Sequence, residues 1–319
     1  MSYGDAEQDE LRFKVLDRLY ALGERDIDTA RVYGDSEELL GRWFKQNPGI
    51  RETVFLATKC GFIHPMTPSG NPDAIRSSFK TSLEKLDLES VDLIYLHRPD
   101  AGVPIEVSVL TLAEFVKEGK AKYIGLSEVT PATLRRAHKV HPIAAVQLEY
   151  SPIELTHEAP GGLIDTCKEL GIAMVAYAPT ARGLLSGHWT KIEDFTTRDV
   201  RHYLPRFKEE NLQKVLKVVE GLKEIGAEHG GATPAQVALA WIASQGIISI
   251  PGAKRLDHVE ENLGADKVEL SPEEIERIRE LGKASGWMDS GLRHTPGGIA
   301  LSYVETPPLE GWQASEVVS

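Results

Sequence analysis

"VDLIYLHR" occupies residues 91–98, and its reading decides the fold. Leu93 to Leu96 are apolar at consecutive positions, without the alternation of a strand that has one wet face. A strand covered on both faces, as in a parallel sheet flanked by helices, carries such a run. The run then meets His97 and Arg98, where a strand hands over to a loop. Six other runs read as strands, several of them apolar at consecutive positions: "RDIDTA" (25–30), "VFLATKC" (54–60), "AKYIGLSE" (121–128), "AAVQLEYS" (144–151), "AMVAYAPT" (173–180) and "IISIPGA" (247–253).

Helix-period segments separate these runs. Asn71-Pro72, Thr130-Pro131, Thr233-Pro234 and Ser271-Pro272 each set a capping residue before a proline at the first helical position. Ser271 and Glu274 have the spacing of a capping box. A first helix is expected over about Glu7 to Leu22, with Leu11, Val15, Leu19 and Leu22 on one face and Gly23 ending it. Strand–helix alternation without a linker predicts an α/β fold, a TIM (β/α)8-type barrel, as a single domain over residues 1–319. A doubly wound open sheet ranks second, since it usually needs a Gly-rich first turn and no GxGxxG or GxxxxGK[ST] occurs.

Composition narrows the function. The chain has 319 residues, 41% of them hydrophobic, and a net charge of −12. That balance argues against nucleic acid or an anionic membrane surface as a partner. Cys60 and Cys167 form no CxxC pair, so neither a disulfide framework nor a zinc ribbon is signalled. The chain shows no secretory signal or long apolar run, which gives a cytoplasmic expectation.

In a parallel barrel, chemistry gathers at the carboxyl ends of the strands. Those ends give Asp28 with Tyr33 just beyond, then Lys59, His97, Ser127, Glu128, Gln147, Tyr150 and Tyr177. Singly, each has a plain structural reading: Asp28 as a turn cap, Tyr33 as a plug, Lys59 as a snorkelling chain, His97 as a packed histidine. Together, Asp28, Tyr33, Lys59 and His97 make a proton-donating site. A lysine beside a phenol favours the phenolate and so strengthens the acid. An aspartate holds the lysine and offsets its burial. A histidine positions a carbonyl oxygen. The set lacks a hydride, which must come from a cofactor.

The stretches "DTARVYGDSEELLGRWF", "FLATKCG", "DLIYLHR", "KYIGLSE", "VQLEYSP", "VAYAPTARGLLSG" and "IPGAKRLDHVEENLGA" resemble, in order, the successive signatures of the aldo-keto reductases. The likeness is nearest to the branch related to pyridoxal reductases and potassium-channel β subunits. It implies a catalytic tetrad of Tyr33, Asp28, Lys59 and His97, and NADP(H) as cofactor. By the same resemblance Ser127 and Gln147 would bind the nicotinamide carboxamide and Tyr177 would stack on its ring. Pro179, Thr180, Arg182, Gly183 and Leu184 would wrap the pyrophosphate. Gly252, Lys254, His258, Glu261 and Asn262 would hold the adenosine and its 2′-phosphate. Ala178, Thr180 and Ala181 depart from the family's serine, leucine and glycine, and His258 stands where many relatives carry arginine or glutamine.

The function expected is therefore NADPH-dependent reduction of a small-molecule aldehyde or ketone, with Tyr33 as proton donor. The alternative is a cofactor-sensing regulatory or binding subunit, or a low-activity truncated form, on the same scaffold. Truncation enters because the resemblance calls for an eighth strand ahead of the first helix. A barrel lacking it would be less stable, prone to associate and weak in cofactor binding.

Several further expectations follow. Residues 185–207, with Trp189, suit a substrate lid, and Phe62, His64 and Met66 a pocket wall. The tail 285–319 is a candidate cover for the pocket, with disorder as the alternative. Trp43, Trp241 and Trp287 are expected in the core. His64, His138, His141, His157, His188, His202, His229 and His294 are expected at the surface or in loops. They lack HxH or HExxH spacing, so no metal is expected.

Overall fold

The computed structural model describes residues 9–64, 67–194, 201, 204, 207–289 and 302–313. In chain order the elements are α1 (Asp9–Ala21), β1 (Asp26–Asp28), α2 (Ser36–Gln46), β2 (Phe55–Cys60), β3 (Phe62–His64), β4 (Thr67–Pro68), α3 (Pro72–Leu86), β5 (Val91–Leu96) and α4 (Ile105–Lys117). Then come β6 (Ala121–Ser127), α5 (Pro131–Val140), β7 (Ala145–Glu149), α6 (Leu163–Leu170), β8 (Ala173–Tyr177), α7 (Glu209–Glu228), α8 (Pro234–Ser244), β9 (Ile248–Ser249), α9 (Leu256–Leu263) and α10 (Pro272–Ala284). Every one of the seven expected runs carries a strand, in the order β1-β2-β5-β6-β7-β8-β9. The registered pairs β1–β2, β2–β5, β5–β6 and β8–β9 are all parallel. The fold is of the TIM (β/α)8 type, with seven parallel strands among the described residues. None of the described helices is long and apolar enough to cross a membrane.

The chain gathers into two compact units. The first holds Arg25–Val146 and the tail segment 302–313, and the second holds Glu10–Glu24 and Gln147–Asp289. In the first, β5 is buried at all six positions, as a strand covered on both faces must be. Tyr95 pairs with Gly125 on β6, and a Cβ at Gly125 would come within 2.4 Å of the Tyr95 ring. Glycine is thus required there for the two strands to keep a large aromatic between them. In the second unit, Trp241, Leu184, Leu185, Val215 and Leu222 are among the fully buried side chains.

The capping signals have their expected geometry. Asn71 accepts from the Asp73 and Ala74 amides, Thr130 from Thr133, and Thr233 and Ser271 close full capping boxes with Gln236 and Glu274. Each cap satisfies helix amides that have no partner within the helix, worth about 1 kcal/mol. These caps fix where the helices start, and so the lengths of the loops that carry the site.

Two expectations need correction, and one element was not foreseen. Helix α1 buries Arg12, Val15 and Leu16, whereas Leu11 is 64% and Leu22 38% exposed. The stripe through positions 12, 15, 16 and 19 lies on another face of the same helical period, and the Arg12 stem serves as its apolar filler. Among the histidines, His157 is buried and His138 lies within α5, accepting from the Ile143 amide. The hairpin β3–β4 was not foreseen; its two strands are too short for a periodic signal. Trp43, Trp241 and Trp287 are in the core as expected. Met66, His202, His294, most of 195–206 and much of the tail lie outside the described residues.

Candidate active site

The first unit brings the four sequence-predicted catalytic residues together. Asp28 ends β1, Lys59 is on β2, and His97 follows β5. The parallel register Asp28↔Ala57 sets the first two side by side. Lys59 is 1% exposed, and its ammonium binds the Asp28 carboxylate and donates to the Thr29 carbonyl at 2.9 Å. Tyr33 reaches this cation from the loop beyond β1, with Lys59 Nζ 4.8 Å from its ring centroid. Burial pushes the Lys59 pKa down, but Asp28 and then Tyr33 outweigh it, and the net shift is upward. The lysine is therefore a fixed positive charge in a dry site, where charge interactions act strongly.

His97 is 8% exposed, with its ring edge-on to Tyr33 at 5.9 Å and to Phe62 at 4.8 Å. Burial, then the cations of Lys59 and Arg98, hold its pKa well below the usual imidazole range. A neutral imidazole results, with one N–H to donate. Phe62 thus packs directly against His97.

Arg98 was passed over as a mere neighbour of His97. Its guanidinium donates to the His97 carbonyl at 2.7 Å and to the Ser127 hydroxyl at 3.1 Å. One arginine therefore ties the end of β5 to the end of β6. Its adjacency in "LHR" was the available signal.

In the second unit, Gln147 is buried on β7, and Tyr177 ends β8. The Tyr177 hydroxyl donates to Glu149 at 3.3 Å, and the Arg182 guanidinium lies 3.9 Å from the same carboxylate. Glu149 was missed. Residues two apart on a strand share a face, so Gln147 pointed to Glu149. Tyr150 falls on the opposite face, where it stacks on Trp241 at 5.4 Å and donates to Glu158 at 2.5 Å.

The loop after β8 holds Pro179, Thr180, Arg182, Gly183 and Leu184, with Pro179 and Leu184 buried. Its backbone is left-handed at Ala178 (φ 50), Ala181 (φ 51), Arg182 (φ 58) and Gly183 (φ 91). Three of these are not glycine, and each costs roughly 1–2 kcal/mol in that region. The Gly183 Cα lies close to Trp189 and Arg201: a Cβ there would be 3.3 Å from Trp189 Nε1. Arg201 stacks over the Trp189 ring at 4.5 Å and donates to the Arg182 carbonyl at 2.9 Å. These described parts of the expected lid rest on the loop.

Beyond β9, Asn262 on α9 donates to the Gly252 carbonyl at 3.4 Å. The Glu261 carbonyl accepts from Gln236, and the His258 amide donates to Asp257. Lys254 is exposed, and the neighbouring Arg255 is clamped by Asp257.

Residues 1–283 match the Aldo/keto reductase family. The chain is 49% identical over 286 residues to Aldo-keto reductase str7 of Strobilurus tenacellus, covering 89% of this chain and 84% of that one. It is 39% identical over 317 residues to Aldo-keto reductase yakc [NADP(+)] of Schizosaccharomyces pombe, covering 96% and 92%. Among solved structures, the thermostable aldo-keto reductase Tm1743 superposes with a TM-score of 0.70 at 29% identity, over 87% of this chain and 89% of that one. The glycerol dehydrogenase AKR11B4 of Gluconobacter oxydans shares the fold, with a TM-score of 0.78 at 23% identity over 98% and 92%. Matched along most of its length by family and relatives alike, the chain belongs to the aldo/keto reductase family, oxidoreductases of carbonyl compounds.

Proposed function

We propose that this chain is an NADPH-dependent reductase of a small aldehyde or ketone, with Tyr33 as the proton donor. The observation that carries the reading is the buried Lys59 cation, locked by Asp28 and Thr29 and set against the Tyr33 ring. Tyr33 delivers its proton to the carbonyl oxygen. The phenolate left behind faces a charge that cannot move away, so the cost of forming it falls. Asp28 keeps the lysine in place. His97, neutral and edge-on to Tyr33, donates its N–H to the same oxygen and orients the carbonyl.

A nicotinamide cofactor, when bound, supplies the hydride to the carbonyl carbon. The residues present fit such a group. The left-handed run Ala181-Arg182-Gly183 is strained backbone of the kind that persists at ligand sites, and it brings a guanidinium to a loop suited to a pyrophosphate. Ser127, Gln147 and Tyr177 are the candidates for the nicotinamide. Gly252, Lys254, His258, Glu261 and Asn262 are those for the adenosine end. NADP(+) stands in the name of the 39% identical yakc, and Lys254 suits a 2′-phosphate, since Asp257 neutralises Arg255. A cytoplasmic setting is part of the same reading.

The test follows NADPH absorbance across a panel of aldehydes and ketones. Turnover of at least one, with NADPH preferred over NADH by about tenfold, supports the reading; that ratio is about 1.4 kcal/mol. Lys254→Ala should narrow the preference. Silence across the panel, or equal use of both cofactors, overturns the reaction or the cofactor assignment respectively.

A further inference from the structure

Glu128 follows Ser127 directly and is wholly buried, in the left-handed conformation (φ 58) that L-residues avoid. Backbone strain of this kind lasts only where the surroundings over-determine it. The determinant comes from 175 residues away. Tyr303, in the tail segment, donates its hydroxyl to Glu128 Oε1 at 2.5 Å and its amide to the Glu128 carbonyl at 2.8 Å. Tyr303 is itself left-handed (φ 54), so both ends of this double contact are held in a costly backbone state.

The rest of the segment is tied down by the first unit's helices. Arg136 on α5 forks onto Glu106 of α4 at 2.8 and 2.7 Å and also donates to the Thr306 and Pro307 carbonyls at 2.8 and 2.6 Å. The Ile105 amide donates to the Thr306 hydroxyl, Thr133 to Glu305, and the Trp312 indole to the Gly102 carbonyl. The described segment 302–313 is thus a strap anchored along α4 and α5, with Tyr303 as the point that touches the end of β6. There Ser127 already meets Arg98, and through it the His97 backbone.

We propose that Tyr303 is a positioning residue: by bonding twice to Glu128 it holds the end of β6 in its strained turn and fixes the Ser127 hydroxyl for the cofactor. The proposal rests on the NADPH reading for its ligand but not for its structural half. Removing the Tyr303 hydroxyl leaves the strap's other anchors in place and takes one hydrogen bond from the Glu128 carboxylate. The strained turn at Glu128 is then held less tightly, and the backbone that carries Ser127 shifts against its contact with Arg98. The consequence is weaker cofactor binding with an intact proton site, so the KM for NADPH rises while kcat holds.

The test compares the full-length chain with Tyr303→Phe, Glu128→Ala and Glu128→Gln. Hydrogen exchange of the 127–130 amides, without cofactor, should speed up about tenfold in Tyr303→Phe. The dissociation constant for NADPH, followed by fluorescence, should rise by a similar factor, with kcat within about twofold. Glu128→Ala should do the same, and Glu128→Gln, which keeps an acceptor for the hydroxyl, should recover most of the loss. Unchanged exchange at 127–130 in Tyr303→Phe overturns the proposal, whatever the cofactor does. Faster exchange with unchanged NADPH affinity, in a parent chain that binds NADPH, overturns the positioning role alone. A parent chain that binds no NADPH instead sinks the reductase reading, and with it the cofactor half of this proposal. A fall in kcat equal to the rise in the dissociation constant would show general loosening of the site, and also counts against it.

Discussion

Two of the places where the chain assembles a tyrosine, a carboxylate and a cation are wired differently. In the first unit, Lys59 and Asp28 bind each other, and Tyr33 lies beside the cation. In the second, Tyr150 donates its hydroxyl to Glu158, which Arg279 holds by two bonds at 2.9 and 3.3 Å. Burial, then the Glu158 charge, pushes the Tyr150 pKa far up. Its proton is committed to a carboxylate, and its ring is stacked on Trp241. On the proposed function, the same three residue types give a lock in one place and an acid in the other. What separates them is the neighbour of the phenol: a cation lowers the cost of losing the proton, and an anion raises it.

The largest expected effect comes from removing the cation. Lys59→Met takes the buried cation away from the Asp28 carboxylate, a loss of roughly 3–5 kcal/mol for a broken buried pair. Turnover should fall with it. Asp28→Asn together with Lys59→Met removes both charges and should recover most of the stability in denaturant melts but none of the rate. Recovered rate in the double variant would break the contrast at its root.

A smaller effect is expected in the second unit. Arg279→Met takes away the clamp on Glu158, which is partly exposed, and should cost about 1–2 kcal/mol. The melting temperature should drop by a few degrees while kcat at 25 °C is unchanged. A specific loss of kcat there would place the second assembly in the chemistry.

The smallest is a pH effect. The His97 pKa is depressed in the folded chain, so below the ordinary value of 6.5 the unfolded chain binds the extra proton and the folded one does not. Stability therefore declines as pH falls from about 6.5, and His97→Gln should flatten that part of the melting-temperature profile. An identical slope in the variant would mean that His97 is not held neutral.

Much of this was legible in the residues. Consecutive apolar runs located most strands of the main sheet, because a strand covered on both faces has no wet side to encode; β1, with Asp26 and Asp28 about Ile27, is the exception. The Asn-Pro, Thr-Pro and Ser-Pro pairs located four helix starts, because a cap and a fixed φ act within three residues. Asp28, Tyr33, Lys59 and His97 were found because each stands at or just past a strand end. Long-range ties were not legible. Nothing near Glu128 in sequence announces Tyr303, and Arg98 looks like any surface arginine until Ser127 is placed beside it. The α1 face was misjudged because two overlapping stripes fit one helical period, and only packing chooses between them.

The central claim is that Tyr33, and not Tyr150, is the acid. The direct measurement is single-turnover reduction by Tyr33→Phe and Tyr150→Phe side by side, with NADPH affinity determined for each. Tyr33→Phe should lose about 10²–10⁴-fold in rate with cofactor affinity kept within a few-fold. Tyr150→Phe should keep its rate and melt a few degrees lower. Full activity in Tyr33→Phe, or a loss in Tyr150→Phe as large as the one expected for Tyr33→Phe, would contradict the account.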